Sequence, residues 1–525
     1  MFDYIIIGAG SAGCVLAKRL TDSGANRVLL LEAGPPDASI LIRMPAAVAK
    51  AIASPRFNWH YDTEPEPGLD GRRLYWPRGK VLGGSSSINA LVHVRGHPAD
   101  YDRWAEAGCE GWSFNDVLRY FRRSETNANG ANAYRGGDGP LYVGNPESGN
   151  EIFRAFIEAG GQAGYPVTDD FCGEQAEGFG PFQLAIKDGT RQSTARAYLS
   201  RLNENAKLTV LTGAQATRLL LEGGRAVGVE FAQNGRTRKV YAEREVILSG
   251  GAINSPQLLM LSGIGPADHL RSHGIEVAAD LPGVGGNLHD HLEAKVKYRC
   301  PKPVTMWRYA KFPNYLAVGL QYLLFGTGVG RQQALEAGAF IRSDDTEPIP
   351  DLQLHFINAL AFDGATPDDR GHGFAIDVTP LRPKSRGRLT LRSANPLDKP
   401  TMVANYLTHP DDLDVFRRGM EILIDLCGQA ALQPYVGAEL RPGPACRSAS
   451  DLESYIRATA ESIYHPVGTC AMGTGPEAVV DPQLRVYGVE GLRVVDASIM
   501  PSIVGGNTNG PTVMIAEKAS DMILG

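Results

Sequence analysis

The chain is short of the features that mark several protein classes. It has only 7 cysteines in 525 residues (Cys14, Cys109, Cys172, Cys300, Cys427, Cys446 and Cys470), and no two of them form a CxxC. An odd and scattered set argues against a disulfide framework or a thiolate zinc site, and for a reducing compartment. Basic charge is not in surplus, since 52 Lys and Arg stand against 58 Asp and Glu for a net −6. Little here would neutralise a phosphate backbone, so nucleic acid is not expected as a partner. No apolar run reaches membrane-spanning length. The longest, Tyr315 to Phe325, is about half a span and contains Gln321. It reads better as a buried helix than as a surface that touches a membrane, so the expectation is a soluble protein with at most peripheral membrane contact. The first strand is expected to start at Asp3, leaving no room for a secretory leader, and the location expected is cytoplasmic. Tandem repeats, low-complexity tracts, a GxSxG nucleophile elbow and a P-loop are missing as well.

Glycine, in contrast, is abundant: 61 residues, against a usual share of about 7%. Such a surplus fits many tight turns and close backbone approaches, as around a buried cofactor. The length suggests three or four domain-sized pieces, and 43% hydrophobic with 21% charged residues is ordinary globular usage. Asp3–Gly8 is a continuous apolar strand pattern, followed by Gly8-Ala9-Gly10-Ser11-Ala12-Gly13 and a helical stretch from about Ala12 to Asp22. Arg27–Leu31 is a second buried strand, ending in Glu32. This strand, glycine turn, helix, strand and acid form a dinucleotide-binding unit. The first glycine permits the turn, the second lets backbone approach a pyrophosphate, and the third lets helix pack on strand. Glu32 would accept hydrogen bonds from a ribose diol.

Further along, Lys207–Glu230 alternates as strands around a Gly223-Gly224 hairpin turn, and Arg244–Leu248 is another apolar strand. From about Lys302 to Glu461 amphipathic helices and longer strands suggest a second domain, and Leu492–Val495 returns to a buried strand. The organisation expected is α/β: a discontinuous Rossmann-like cofactor domain from residues 1–150, 190–300 and 465–525, and an α+β substrate domain from 301–464 together with 151–189.

Four more windows narrow the reading: Gly79-Lys80-Val81-Leu82-Gly83-Gly84-Ser85-Ser86-Ser87-Ile88-Asn89; Gly251-Ala252-Ile253-Asn254-Ser255-Pro256 running on to Gly265; Tyr464-His465-Pro466-Val467-Gly468-Thr469-Cys470; and Val495-Asp496-Ala497-Ser498-Ile499-Met500-Pro501, continuing as Gly506 to Thr512. In this order and spacing they closely resemble the glucose–methanol–choline (GMC) oxidoreductases, from Asp3 to Ala519. The wording is most similar to choline dehydrogenases and bacterial dehydrogenases of aliphatic alcohols.

The resemblance implies FAD and hydride removal from an alcohol carbon. It assigns Gly8, Gly10, Ser11, Ala12, Gly13, Glu32 and Ala33 to the ADP end. Arg78, Gly79, Val81, Gly83, Gly84, Asn89, Ala90 and Val92 match the loop along the pyrophosphate and flavin, and Ala216 the adenine contact. Asp496, Ala497, Asn507 and Thr508 belong to the last cofactor-binding stretch. Members with covalent flavin carry histidine where this chain has Ile88, so the FAD is expected to be non-covalent. His465 matches the catalytic base, and a neutral imidazole suits removal of a hydroxyl proton near neutral pH. Its partner is expected to be Asn509, from its distance to Pro511-Thr512; Asn507 is the rival, because Asn-Thr-Asn offers two amides.

The expected reaction is oxidation of a primary alcohol to an aldehyde, with an oxidase using O2, a choline dehydrogenase and a FAD-containing lyase as alternatives. The electron acceptor, quinone, dye or O2, stays open. His289-Asp290-His291 reads as a structural loop and no metal is expected. Gln332, Gln333 and Glu336 are candidates to reach the substrate pocket, whose shape is expected to come from Lys302–Ala361.

Overall fold

The structure is a computed structural model that describes residues 1–360 and 370–525; Ala361, at the end of the expected pocket-shaping stretch, lies outside the described residues. In chain order, the elements that frame the site begin with β1 (Phe2–Ile7), α1 (Ser11–Thr21), β2 (Arg27–Leu31), β3 (Gly178–Pro181) and β4 (Lys207–Leu211). The long meander β5 (Ala214–Glu222), β6 (Arg225–Gln233) and β7 (Arg236–Leu248) follows, then α2 (Gly251–Leu261) and β8 (Leu292–Arg299). After α3 (Asn314–Phe325) come β9 (Ala337–Ile341), β10 (Leu352–Ile357), β11 (Gly373–Pro380), α4 (Pro410–Cys427), β12 (Glu439–Arg441), β13 (Glu461–Ser462), β14 (Leu492–Val494) and α5 (Asn509–Leu524).

Two sheets result. The first has the order β4-β2-β1-β7-β6-β5, with β14 also paired to β7. Its centre is parallel: Tyr4–Ile7 lie beside Val28–Leu31 on one side and Glu245–Leu248 on the other. Because β1 and β2 are covered on both faces they are apolar throughout, and Ile5, Ile6, Leu30 and Leu31 are fully buried. Helix α1 follows β1 after one tight turn and packs against α5, nearly 500 positions later. That contact contains a buried charge cluster. Glu517, fully buried, accepts from Arg19 at 2.9 Å, Arg123 at 2.7 Å and the Tyr198 hydroxyl at 2.8 Å. Removing Glu517 would take the acceptor from the buried Tyr198 hydroxyl and leave Arg19 and Arg123 only their outer partners, Asp22 and Asp521.

The second sheet is antiparallel, in the order β12-β8-β11-β10-β9-β3, with β13 pairing β8 and α4 packed on β11. β8 thus belongs to this sheet although it falls inside the stretch 190–300. Its alternating burial places Glu293, Lys295 and Lys297 on one face and Leu292, Ala294, Val296 and Tyr298 on the other. Helix α3 departs from the reading of its sequence. None of its twelve residues is buried, and Leu320, Leu323, Leu324 and Phe325 are 58–72% exposed. Apolar composition specified a helix there, but no other element covers it. Among the described residues no helix is long and apolar enough to cross a membrane.

Candidate functional site

A large cavity opens between the two sheets, at the carboxyl ends of β1, β2 and β7. Its lining gathers Gly8, Gly10, Ser11, Ala12, Glu32, Ala33, Arg78, Gly79, Gly84, Asn89, Ala90, Val92, Ala216, Asp496, Ala497, Asn507, Thr508, Asn509 and His465. These nineteen come from both ends of the chain and several loops between. Three of the expected residues stand behind the wall instead. Gly13 lies under the turn, where a Cβ would sit 1.9 Å from the Gly8 carbonyl oxygen; Val81 is in the core with Ile42, Phe57 and Ile88; the Gly83 amide donates to the Ala9 carbonyl at 2.7 Å.

The glycine turns are close-packed backbone. Gly8 has φ +101°, and a Cβ on it would lie 2.4 Å from the Ser249 carbonyl oxygen. Gly84 has φ +54° and rests on Gly10, so the two glycine-rich turns touch. Glu32 accepts from the amides of Ala9 at 3.1 Å and Gly34 at 2.7 Å. Burial pushes its carboxyl up to about 7, against the pull of those amides. Both Asp496 oxygens are occupied by protein donors, Gly251 N at 2.8 Å and Ser255 Oγ at 2.6 Å on one, Ser498 on the other. Asp496 therefore fixes the start of α2, and its neighbour Ala497 supplies bare wall. The Ser249 hydroxyl lines the cavity, buried, with no protein partner among the described residues. Backbone walls, the N-terminus of α1 and this spare hydroxyl fit the polar and anionic parts of an FAD, which the glycine turns would hold. Ile88 also lines the cavity and offers no atom for a covalent bond to flavin.

His465 sits on a strained turn. Tyr464, just before it, has φ +70°, an uncommon value for a bulky residue that costs on the order of 1–3 kcal/mol. The turn is held at three points: Tyr464 N donates to Ser462 Oγ at 2.8 Å, Arg78 donates to the Tyr464 carbonyl, and His465 N donates to Asp290 Oδ1 at 2.7 Å. Asp290 is itself buried and accepts from Tyr406 and Ser462. The ring of His465 is fixed at both nitrogens. Nδ1 lies 3.1 Å from His291 Nδ1, and Nε2 lies 3.2 Å from Asn507 Nδ2. His291 Nε2 is 2.9 Å from the Leu381 carbonyl, which can only accept. His291 therefore carries its proton on Nε2 and accepts at Nδ1, so His465 carries its own proton on Nδ1. Nε2 of His465 is left with its lone pair directed at Asn507. Burial first, then His291 and Arg78, holds the His465 imidazole well below its ordinary value.

The amide that meets His465 is Asn507, not Asn509 as expected. Gln353 donates to Asn507 Oδ1 at 3.1 Å and so orients the Nδ2 group. Asn509, the first residue of α5, accepts from Ser11 Oγ at 2.7 Å and ties that helix to the dinucleotide turn. The carboxylate expected at the pocket is also elsewhere. Glu336 accepts from Ser148, and Gln333 donates to the Ala90 carbonyl at 3.2 Å. Gln332, Gln333 and Glu336 do not line the cavity. Its ionisable wall comes from the second sheet, at residues not anticipated: Glu293, Lys295, His355 and Asp377. Lys295 lies opposite Asp377 and Asp377 opposite His355 in the strand registers. Lys295 pairs with Glu293 at 2.6 Å and His355 with Asp377 at 2.7 Å. The carboxylates hold Lys295 firmly protonated, whereas burial pushes the Glu293 carboxyl up. Glu293, His355 and Asp377 are close enough to share a cation, but Lys295 already occupies Glu293. In the triplet His289-Asp290-His291, His289 accepts from Ile503 N and the other two hold His465.

Residues 2–293 and 383–516 match the two parts of the GMC oxidoreductase family. The chain is similar over its whole length to the oxygen-dependent choline dehydrogenase of Brucella suis, at 48% identity and 95% of that protein. It is 49% identical to the mitochondrial choline dehydrogenase of Homo sapiens, covering 90% of that chain. Among solved structures it superposes on pyridoxine 4-oxidase from Mesorbium loti with a TM-score of 0.90 at 32% identity, covering 99% of each chain. A formate oxidase variant from Aspergillus oryzae RIB40 gives 0.93 at 28% identity, covering 99% of this chain and 98% of that one. With its glycine turns, its glutamate and its buried histidine gathered on one cavity, the chain belongs to the GMC oxidoreductases, FAD-dependent enzymes that act on CH–OH donors.

Proposed function

We propose that the chain oxidises a primary alcohol to an aldehyde with His465 as the base and Asn507 as the substrate-orienting amide. The observation that carries this reading is the opposed pair, His465 Nε2 and Asn507 Nδ2, 3.2 Å apart on the wall shared with the cofactor turns. FAD, when bound, supplies a hydride acceptor at its N5. The chain's own residues manage the proton. A substrate hydroxyl that displaces their mutual hydrogen bond donates to His465 Nε2 and accepts from Asn507 Nδ2, an amide that is not basic and so does not compete for the proton. As the carbon–hydrogen bond weakens, the hydroxyl proton passes to Nε2 and Asn507 steadies the oxygen. General-base help of this kind contributes about 10²–10⁴-fold.

The wall of Glu293, Lys295, His355 and Asp377 favours a polar or cationic alcohol over an aliphatic one. Glu293 and Asp377 offer two carboxyl groups there, with Lys295 and His355 beside them. Choline, named by relatives at 48–49% identity, is the first substrate to test.

The test is anaerobic flavin absorbance on adding choline, benzyl alcohol, hydroxymethylfurfural or octanol. Bleaching is expected with wild type and strongest with the polar alcohols, and His465→Ala should slow it by 10² or more. Glu293→Gln and Asp377→Asn should each raise the choline KM about tenfold. Unchanged reduction in His465→Ala would overturn the base assignment, and flavin that stays yellow with every alcohol would point to a lyase.

A further inference from the structure

We propose that α3 and the loop before it form a docking surface for a lipid bilayer carrying anionic headgroups. The helix has twelve residues, a length of about 18 Å, too short to cross a hydrocarbon core of about 30 Å. A segment of that length with an apolar outer face lies in the plane of the interface. Leu316, Leu320, Leu323 and Leu324 fall at helical spacing on that face, all 47% exposed or more, and Phe312 and Phe325 flank them at 74% and 72%. Isolated exposed leucines are ordinary; a contiguous row of this kind marks a contact surface.

The opposite side of the helix is anchored. The Tyr322 hydroxyl shares its one proton between the carbonyls of Arg43 at 3.2 Å and Gly189 at 3.1 Å. It thus rests on the segment that leads to Ile52, which lines the cofactor cavity. The outer row therefore faces away from the protein without being a loose end.

Charge selects the partner. The chain has a net charge of −6, yet residues 301–335 contain Lys302, Arg308, Lys311 and Arg331 and, apart from Glu336 just beyond them, no acid; Arg331 pairs with Glu147 and Lys302 lies over Tyr435, which leaves Arg308 and Lys311 beside the helix. The adjoining residues 38–61 contain Arg43, Lys50 and Arg56, again without an acid. Several of these cations lie over aromatic rings at the rim: Lys50 over Tyr315 at 4.7 Å, Arg308 over Tyr309 at 4.9 Å and Lys311 over Trp307 at 5.3 Å. An apolar row rimmed by aromatics and cations matches the layering of an anionic membrane surface, with leucines below the headgroups and lysines and arginines among them.

The test is co-sedimentation of the FAD-loaded enzyme with vesicles of phosphatidylcholine, alone or mixed with phosphatidylglycerol. Pelleting is expected with the mixed vesicles and should weaken as salt rises. Leu320→Glu with Leu324→Glu should cut the bound fraction about tenfold, and Arg308→Glu with Lys311→Glu should act in the same direction. Both double variants should keep their flavin absorbance, which shows that they fold. Absence of pelleting with mixed vesicles would overturn the proposal, as would equal pelleting of the leucine variant. A dimer in sedimentation velocity that the leucine variant abolishes, without vesicle binding, would overturn it in favour of a second copy of the chain.

Discussion

His291 Nδ1 accepts the one proton that His465 carries, and the Leu381 carbonyl behind it decides that it must. A single backbone carbonyl, two rings away, thereby leaves the lone pair of Nε2 facing the cavity. In His291→Phe, of similar shape, the buried Nδ1 proton of His465 loses its acceptor and only Asn507 is left to set the tautomer. Flavin reduction should slow by about 10²-fold while bound FAD stays near wild type, read by anaerobic stopped flow against the flavin-to-protein absorbance ratio. A rate within twofold of wild type would mean that His291 only fills space.

Asn507 and Asn509 should separate in the same two measurements. Asn507→Ala is expected to slow reduction by 10² or more with FAD retained, because its amide meets His465. Asn509→Ala removes the acceptor for Ser11 and should instead lower the flavin content of the purified protein. The reverse pattern would return Asn509 to the reacting centre.

The pH profile follows from burial. His465 is held well below 6.5, so it binds fewer protons at a given pH than an exposed histidine. Its base form is therefore present above that lowered value and lost only below it. A plot of kcat/KM should stay level as pH falls through 6.5 and bend on the acid side of it. A bend at 7 or higher would show that the imidazole is stabilised as a cation.

Because Ile88 lines the cavity where an attachment point would be needed, acid precipitation should leave essentially all FAD in the supernatant. Yellow colour retained in the washed pellet would show a covalent link through another residue.

What the sequence disclosed and what it hid divide along physical lines. The Gly8–Gly13 turn and Glu32 were legible because one strand, one turn and one helix fix them locally. The choice between Asn507 and Asn509 was not, since one residue closes a loop, the other opens α5, and only Gln353 and Ser11 from distant elements decide where each amide points. The ionisable wall was hidden for a different reason. Glu293, Lys295, His355 and Asp377 lie on three strands, and antiparallel register alone brings them together. Read singly, the alternation in β8 predicts a face turned to water; that face is the cavity. For α3 the error ran the other way, because apolar residues report a wish for burial and not whether anything provides it.

The first sheet has a consequence for how the protein is made. Strand β14 and helix α5, which close the cofactor site, are translated almost 500 codons after the central strand β1. Until then Val246–Leu248 of β7 has an open edge, and the cavity lacks the wall that Asp496, Asn507 and Asn509 supply. Flavin loading must therefore wait for the late part of the message, and a nascent chain stalled before it would present that open edge to chaperones and proteases.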